Sequence, residues 1–382
     1  MGTVIRTDAT ITSPVATAKR LVVKIGSALL VNEETGALHK EWLDALCDDV
    51  AHAHARGQEV VIVTSGAIGI GRGPLGMRGR KLRLEEKQAA AATGQMRLTH
   101  AYQSSLDRHN ITVGQVLITL DDTENRRRYL NARNTLDTLL TLRAIPVINE
   151  NDSVATAEIR FGDNDRLAAR VAQMISADTL VLFSDIDGLY TADPRVRPDA
   201  VLVPEVREVT PQVEAMAGVT TTGVGSGGMV TKIMAAKICM AAGCRMAIAP
   251  GKPMNPMRAL EDGGRCTWFL PNSEPRTARK RWIAGNVQTR GIITVDDGAV
   301  AALRGGKSLL PAGVTDVSGD FERGDAVEVR AKDSQIVAKG LSAYAAGDMR
   351  MIKGHKSEDI EKILGFRGRR EVIHRDDLVI GS

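Results

Sequence analysis

The sequence has little cysteine, no long apolar run and almost no excess charge. None of its apolar runs approaches the roughly 20 residues that a membrane-spanning helix needs. The first residues, MGTVIRTDATITSPVATAKR, lack the apolar core of a signal peptide. We therefore expect a cytoplasmic protein with no membrane partner.

The four cysteines and the charge balance exclude further classes. Cys47, Cys239, Cys244 and Cys266 show no paired metal-ligand spacing, and two of them lie in an apolar run rich in Ala and Met. We interpret them as buried free thiols. A net charge of +4, from 50 basic and 46 acidic residues, is small for 382 residues. Whole-molecule charge therefore gives no case for nucleic acid as a partner.

Short apolar runs alternate with helical stretches through the first two thirds of the chain. The runs are RLVVKIGSALL, EVVIVTSGAIGIG, ITVGQVLIT, IPVINEND and TLVLFSDIDG. Strands of this kind, separated by helices, predict a mostly parallel sheet covered on both faces, so an α/β three-layer sandwich. Ligands in such folds collect at the carboxyl ends of the strands. The turns KIGS, TSGAIGIG, NEND and SDIDG all follow strands, so we expect a site there.

The composition and hydrophobic pattern of the sequence change after about Pro271. The stretch PNSEPRTARKRW is polar and basic, and short strand-like runs with one helix follow it. We predict an N-terminal extension (1–19), a large α/β domain (20–272), a linker (273–284) and a small β-rich domain (285–370).

Acidic residues cluster in NENDSVATAEIRFGDNDRLAAR with few bases among them. The acidic residues are Glu150, Asp152, Glu158, Asp163 and Asp165, and Arg160 and Arg166 are the bases. Like charges this close repel, so the cluster requires a cationic partner from elsewhere in the chain or from a ligand.

The glycine-rich stretch TTGVGSGGMVTK, Thr221 to Lys232, precedes a helical run. Glycines allow backbone N–H groups to turn toward an anion, and a helix N-terminus adds a positive dipole, so we favour phosphate binding over a plain surface loop. Gly71, Gly73 and Gly76 match a dinucleotide fingerprint in spacing but lie too far past their strand.

Lys24 lies inside an apolar strand and therefore needs a partner. Two lysines, backbone amides and Mg²⁺ are what a site needs to bring a carboxylate to a nucleotide polyphosphate. A substrate carboxylate is already ionised, so the lack of a convincing nucleophile fits phosphoryl transfer.

The chain resembles the amino acid kinase family. The matching motifs are VVKIGS, VIVTSGAI, LNARNTL, PVINENDSVATAEIRFGDND, GLYTADPR and GSGGMVTK, in this order. The tail SLLPAGVTDVSGDFERGDAVEV resembles a PUA domain. The likeness implies ATP-dependent phosphorylation of the γ-carboxylate of L-glutamate to L-glutamyl 5-phosphate, the first step of proline biosynthesis, with ATP as co-substrate and Mg²⁺ as cofactor.

The resemblance also implies roles for individual residues. Lys24 and Lys232 would neutralise the transferring phosphoryl group, and Asp165 would orient both lysines. Ser65, Asp152 and Asn164 would hold glutamate. The residues implied in ATP binding are Lys24, Ser184, Asp185, Ser226, Gly227, Gly228, Met229, Val230, Thr231 and Lys232. No protein metal ligand is assigned.

Partners follow from the same likeness. It implies feedback inhibition by L-proline, a separate glutamyl-phosphate reductase that consumes the product, and a homo-oligomer, either a dimer or a tetramer.

Two classes of alternative stay open. The first is another member of the family, acting on aspartate, acetylglutamate, carbamate or uridylate, because one methylene separates substrates by only about 1–3 kcal/mol. The second is an RNA-binding protein that acts through its tail. Residues 285–382 carry 15 Lys and Arg against 15 Asp and Glu, with only Phe321, Tyr344 and Phe366 as aromatics. RNA binders usually show a basic face and stacking rings, so we do not expect RNA.

Overall fold

The chain divides into two compact units with separate hydrophobic cores. The computed structural model describes residues 13–32, 34–154, 164–218, 228–275, 277, 280 and 289–381. The first unit comprises Met1–Glu124 and Asn131–Glu274, and the second Asn125–Leu130 and Pro275–Ser382. In these described ranges no helix combines the length and the apolar character needed to cross a membrane.

A mostly parallel sheet runs through the first unit. The strands, in chain order, are β1 (Arg20–Ile25), β2 (Glu59–Val63), β3 (Val113–Ile118), β4 (Ile145–Glu150), β5 (Thr179–Ser184), β6 (Leu189–Tyr190), β7 (Leu202–Val203), β8 (Glu205–Val206), β9 (Arg245–Pro250) and β10 (Thr267–Phe269). The sheet order is β3-β4-β2-β1-β5-β9-β10-β8, and β6 pairs with β7 apart from it. Neighbours are parallel except for β9 and β10.

Helices connect these strands. They are α1 (Pro14–Thr17), α2 (Ser27–Leu30), α3 (Lys40–Ala55), α4 (Ala67–Arg72), α5 (Leu84–Asp107), α6 (Leu120–Glu124), α7 (Arg126–Thr141), α8 (Asn164–Met174), α9 (Pro211–Ala215), α10 (Met229–Ala241) and α11 (Pro256–Glu261). The first residues of α7 group with the second unit.

Strand β1 lies at the centre of the sheet, with β2 on one side and β5 on the other. Its residues after Arg20 are buried, as continuous apolar strands covered on both faces should be. Lys24 is in register with Val63 on β2 and with Leu182 on β5. A lysine therefore lies in the centre of the sheet, one residue from the end of its strand.

Helices α4 and α5 approach each other through two glycines. A Cβ on Gly71 would lie 1.8 Å from the backbone oxygen of Ala90, and a Cβ on Gly94 would lie 1.7 Å from that of Ala67. Only glycine permits this contact. The glycine spacing around Gly71 that resembles a dinucleotide loop thus serves helix packing, and the close approach holds α5 beside α4.

The second unit is built on a smaller mixed sheet. Its strands are β11 (Gly291–Val295), β12 (Val314–Gly319), β13 (Ala326–Ala331), β14 (Ile336–Leu341) and β15 (Leu378–Ile380), in the order β12-β11-β13-β14-β15. Its helices are α12 (Asp297–Arg304), α13 (Ala346–Ile352) and α14 (Ile360–Leu364), with 3₁₀ turns at Pro311–Gly313, Ser357–Asp359 and Arg375–Asp377. The predicted fold class, a mostly parallel α/β sheet followed by a small β-rich domain, is confirmed.

Candidate active site

The carboxyl ends of β1, β2, β4 and β5 lie side by side at one edge of the sheet. The chain places β2, β3 and β4 on one side of β1 and β5 on the other, so the strand order reverses at β1. Parallel sheets bind ligands at such a point. The polar turns that the sequence places after these strands meet at this edge.

Two lysines share one buried carboxylate there. The Nζ of Lys24 lies 2.6 Å from Oδ1 of Asp165, and the Nζ of Lys232 lies 3.2 Å from Oδ2. The Asp165 side chain is 0% exposed, and the two lysine side chains are 9% and 6% exposed. Two lysines therefore share one carboxylate at the sheet edge, and we call these three residues the Lys–Asp–Lys cluster.

The two lysines, a helix N-terminus and a hydrogen bond together favour the ionised form of Asp165. It lies in the first turn of α8, where the helix dipole favours a negative charge. The hydroxyl of Thr231, in the first turn of α10, donates to its Oδ2 at 2.9 Å. Burial alone would raise the pKa of Asp165, but the charges of Lys24 and Lys232 outweigh it and hold the pKa below its usual value.

Asn164 and Ser65 meet beside this cluster. Asn164, the first residue of α8, donates from Nδ2 to the backbone oxygen of Thr64 at 2.7 Å, to Oγ of Ser65 at 2.9 Å and to Oδ1 of Asn149 at 3.0 Å. Ser65 follows β2, and Gly66 next to it has a φ of +94° with no room for a Cβ beside Val31. The glycine turn therefore aims Ser65 at Asn164.

Asp152 lies in the turn after β4, partly enclosed by the protein. Burial raises its pKa to about 6, and among the described residues no cation offsets this shift. A carboxylate of this kind gains from a cationic ligand. Glu158, Arg160 and Asp163 of the acidic cluster lie outside the described residues.

The described residues that were predicted to bind ATP lie mainly at the carboxyl end of β5 and at the N-terminus of α10. Ser184 ends β5, is buried, and donates from Oγ to Oδ1 of Asp185 at 3.0 Å, while Asp185 is exposed. Gly228 caps the N-terminus of α10 and leaves its backbone exposed, and Met229, Val230 and Thr231 form the first turn. Ser226 and Gly227 lie outside the described residues.

The sequence interpretation missed two buried amides. Asn149, at the end of β4, is 1% exposed, and Gln95 on α5 is 7% exposed. The Nδ2 of Asn149 donates to Oε1 of Gln95 at 2.7 Å. Asn149 belongs to the NEND motif, so the sequence could have indicated that it lies at the site. Gln95 is 54 residues away along the chain and stands in no motif.

Two protein families match this chain. The model of the amino acid kinase family matches residues 19–250, which contain every residue of the site. The chain belongs to the amino acid kinase family. The PUA domain model matches residues 291–364 in the second unit. Both predicted resemblances are confirmed.

Several curated relatives of this amino acid kinase cover nearly all of it. A glutamate 5-kinase of Paramagnetospirillum magneticum is 66% identical over 368 residues, with 96% of this chain and 99% of the relative covered. One from Rhodospirillum rubrum is 60% identical, with 94% and 96% covered. One from Agrobacterium fabrum is 57% identical, with 96% and 94% covered.

Proposed function

We propose that this chain transfers the γ-phosphoryl group of ATP to the γ-carboxylate of L-glutamate, the activity for which its curated relatives are named. The observation that carries the proposal is the Lys–Asp–Lys cluster at the switch point of the sheet. Two ammonium groups in a buried site stabilise the negative charges that a carboxylate and a triphosphate bring together.

The reaction needs no general base from the protein. The γ-carboxylate has an ordinary pKa near 4.3, so it is ionised at neutral pH. One of its oxygens forms a bond to the γ-phosphorus while the bond from that phosphorus to the β,γ-bridging oxygen breaks, and ADP leaves with the electron pair. In this proposal the ammonium groups of Lys24 and Lys232 neutralise charge on the transferring group, and Asp165 orients the two lysines. The ion pairs of both lysines with Asp165 support these roles.

Glutamate has its own set of contacts in this proposal. Asp152 pairs with the α-ammonium, since burial raises the pKa of this carboxylate and no cation among the described residues offsets that shift. Asn164 and Ser65, which hydrogen bond to each other at 2.9 Å, complete the binding site. ATP lies against Ser184, Asp185 and the N-terminus of α10, where the helix dipole suits phosphate.

In this proposal Mg²⁺ enters the site bound to the phosphates of the nucleotide. Among the residues that the structure describes, no three His, Cys, Asp or Glu side chains group together as a metal site. Mg²⁺ bound with nucleotides keeps several waters and takes phosphate oxygens as ligands, so a dedicated protein cage is not required. When bound, it neutralises phosphate charge.

Three further proposals concern partners. L-Proline carries an α-carboxylate and an ammonium, as glutamate does, so we propose that it inhibits by competing for the same site. Lines of different proline concentration should meet on the velocity axis of a double-reciprocal plot. A separate glutamyl-phosphate reductase consumes the labile product.

The enzyme acts as a homo-oligomer, and analytical sedimentation measures the number of its subunits.

An acceptor panel tests the main proposal. ADP release is measured with ATP, Mg²⁺ and one acceptor at a time: L-glutamate, L-aspartate, N-acetyl-L-glutamate, carbamate or UMP. We expect turnover with L-glutamate well above the rest, and the acyl phosphate is trapped as a hydroxamate. Turnover with another acceptor but not with L-glutamate would overturn the proposal.

A further inference from the structure

A chain of side-chain amides runs from α5 to the substrate side of the site. Gln95 accepts from Nδ2 of Asn149 at 2.7 Å, and Oδ1 of Asn149 accepts from Nδ2 of Asn164 at 3.0 Å. The Nε2 of Gln95 in turn donates to the hydroxyl of Thr99 at 3.2 Å. We call these three residues, Gln95, Asn149 and Asn164, the amide relay.

Backbone groups fix the direction of the relay. The backbone oxygen of Thr64 can only accept, so the atom of Asn164 that lies 2.7 Å from it must be the nitrogen. The backbone N–H of Glu150 can only donate, so the atom of Asn149 that lies 2.9 Å from it must be the oxygen. The nitrogen of Asn149 then points to Gln95, which must present its oxygen. The orientations of all three amides follow from these two backbone groups.

This orientation determines what Asn164 can offer to a ligand. Its amide nitrogen carries two hydrogens, and three acceptors of the protein already surround it. Among the described residues, Oδ1 of Asn164 has no donor. Asn164 therefore meets a ligand as a hydrogen-bond acceptor, and the ligand group that matches it is a donor.

We infer that Gln95 and Asn149 are positioning residues that hold Asn164 with its carbonyl oxygen available to the substrate, where it accepts a hydrogen bond from the α-ammonium of L-glutamate. The inference rests on the proposed function. Both carboxylates of glutamate are ionised at neutral pH and only accept, so the α-ammonium is the substrate's one donor. Gln95 acts through Asn149 and has no contact with the substrate.

The substitution Gln95→Met tests the relay. Methionine has a similar length and no acceptor oxygen, so it leaves the buried Nδ2 of Asn149 without a partner. The change loosens Asn149, which is one of the three acceptors that hold Nδ2 of Asn164. Such a loss typically amounts to a factor of about ten, so we expect the KM for L-glutamate to rise by about tenfold, with kcat and the KM for ATP nearly unchanged. Gln95→Glu keeps an acceptor oxygen, so it should restore most of the affinity for glutamate.

The matched control is Gln103→Met, the same change on the same helix. Gln103 accepts from the backbone N–H of Val113 at 2.9 Å and takes no part in the amide relay. It should lower the melting temperature by an amount comparable with Gln95→Met and leave the KM for glutamate unchanged. Equal effects of the two variants on that KM would reduce Gln95 to a structural residue and overturn the inference.

A double-mutant cycle shows whether Gln95 works through Asn164. In an Asn164→Ala background the relay has nothing to position, so Gln95→Met should cause no further rise in the KM for glutamate. Effects that multiply would overturn the inference. The acceptor panel with the wild-type protein distinguishes failure of this inference from failure of the proposed function. Turnover of another α-amino acid instead of glutamate refutes the proposed function, and the double-mutant cycle is then measured with that amino acid.

Discussion

Lys232 is the residue for which binding and catalysis can be separated. It lies in the first turn of α10, and backbone N–H groups with the helix dipole at such an N-terminus suit bound phosphate. Its charge therefore acts mainly on the transferring phosphoryl group. Removing one donor of this kind typically costs about 10²–10³ in kcat, so we expect that loss in Lys232→Met with only a few-fold change in the KM for ATP.

Lys237→Met is the matched control for this measurement. Lys237 lies on the same helix, and its half-exposed side chain pairs with Glu214 at 2.7 Å and not with Asp165. Steady-state kinetics should show an unchanged kcat. A Lys232→Met enzyme with normal kcat and weak ATP binding would assign this lysine to nucleotide binding alone.

Asp152 gives the site a pH dependence. Burial raises its pKa to about 6, so the carboxylate is ionised above that pH and neutral below it. In the proposed function only the ionised form pairs with the α-ammonium of the substrate, and this ammonium stays charged through the same range. We expect kcat/KM for glutamate to fall as the pH is lowered through about 6, since this ratio reports the pKa values of the free enzyme.

The variant Asp152→Asn checks the assignment of that pH limb. Its kcat/KM should be low at every pH and flat between about pH 5 and pH 8, because asparagine does not titrate. If the variant kept the fall near pH 6, another group would be responsible.

At the level of single residues, the sequence predicted those that stand in motifs and missed those defined by distant contacts. Lys24 stood out because a lysine inside an apolar strand needs a partner, and Asp165 because acidic residues crowd around it. Gln95 lies in an Ala-rich helix, and its contact with Asn149 depends on how α5 packs against the sheet. Local periodicity carries no information on such packing.

The contact between α4 and α5 is the element on which the amide relay depends. A Cβ at Gly94 would lie 1.7 Å from the backbone oxygen of Ala67, so Gly94→Ala forces the helices apart. Overpacking typically costs about 1–3 kcal/mol, and we expect a loss of stability of at least this size in denaturant unfolding. Gln95 is the next residue on α5, so affinity for glutamate should fall as well.

Gly347→Ala is the control for the change of residue type. A Cβ at Gly347 meets nothing within 4 Å, so this substitution should be neutral or stabilise by about 0.4–1 kcal/mol. Equal stability of the two variants would show that the helices tolerate a wider separation.

Strands were predicted to different extents, according to their length. The apolar runs that became β1 to β5 span five or six residues each, apart from turns, and alternate visibly with helices. Strands β8 and β10, which extend the sheet beyond β9, have only two and three residues. Runs this short show no period, so the antiparallel extension of the sheet could not be predicted.

For the whole molecule, the site residues described above all belong to the first unit. Each unit has its own core, so we expect a chain that ends at about Gly285 to retain turnover of ATP with glutamate. Assembly and inhibition by proline are free to change. The measurement is steady-state kinetics on the shortened chain, with circular dichroism to show that it is folded; a folded chain without turnover would show that the second unit completes the site.

The sharing of one carboxylate by two lysines also constrains how such a site decays over evolutionary time. A lineage that loses Lys232 first keeps the ion pair between Lys24 and Asp165, and the fold survives. A lineage that loses Asp165 first leaves two buried ammonium groups near each other without the carboxylate that they share, at a cost of several kcal/mol. Inactive descendants of this enzyme should therefore retain the aspartate and lack a lysine far more often than the reverse.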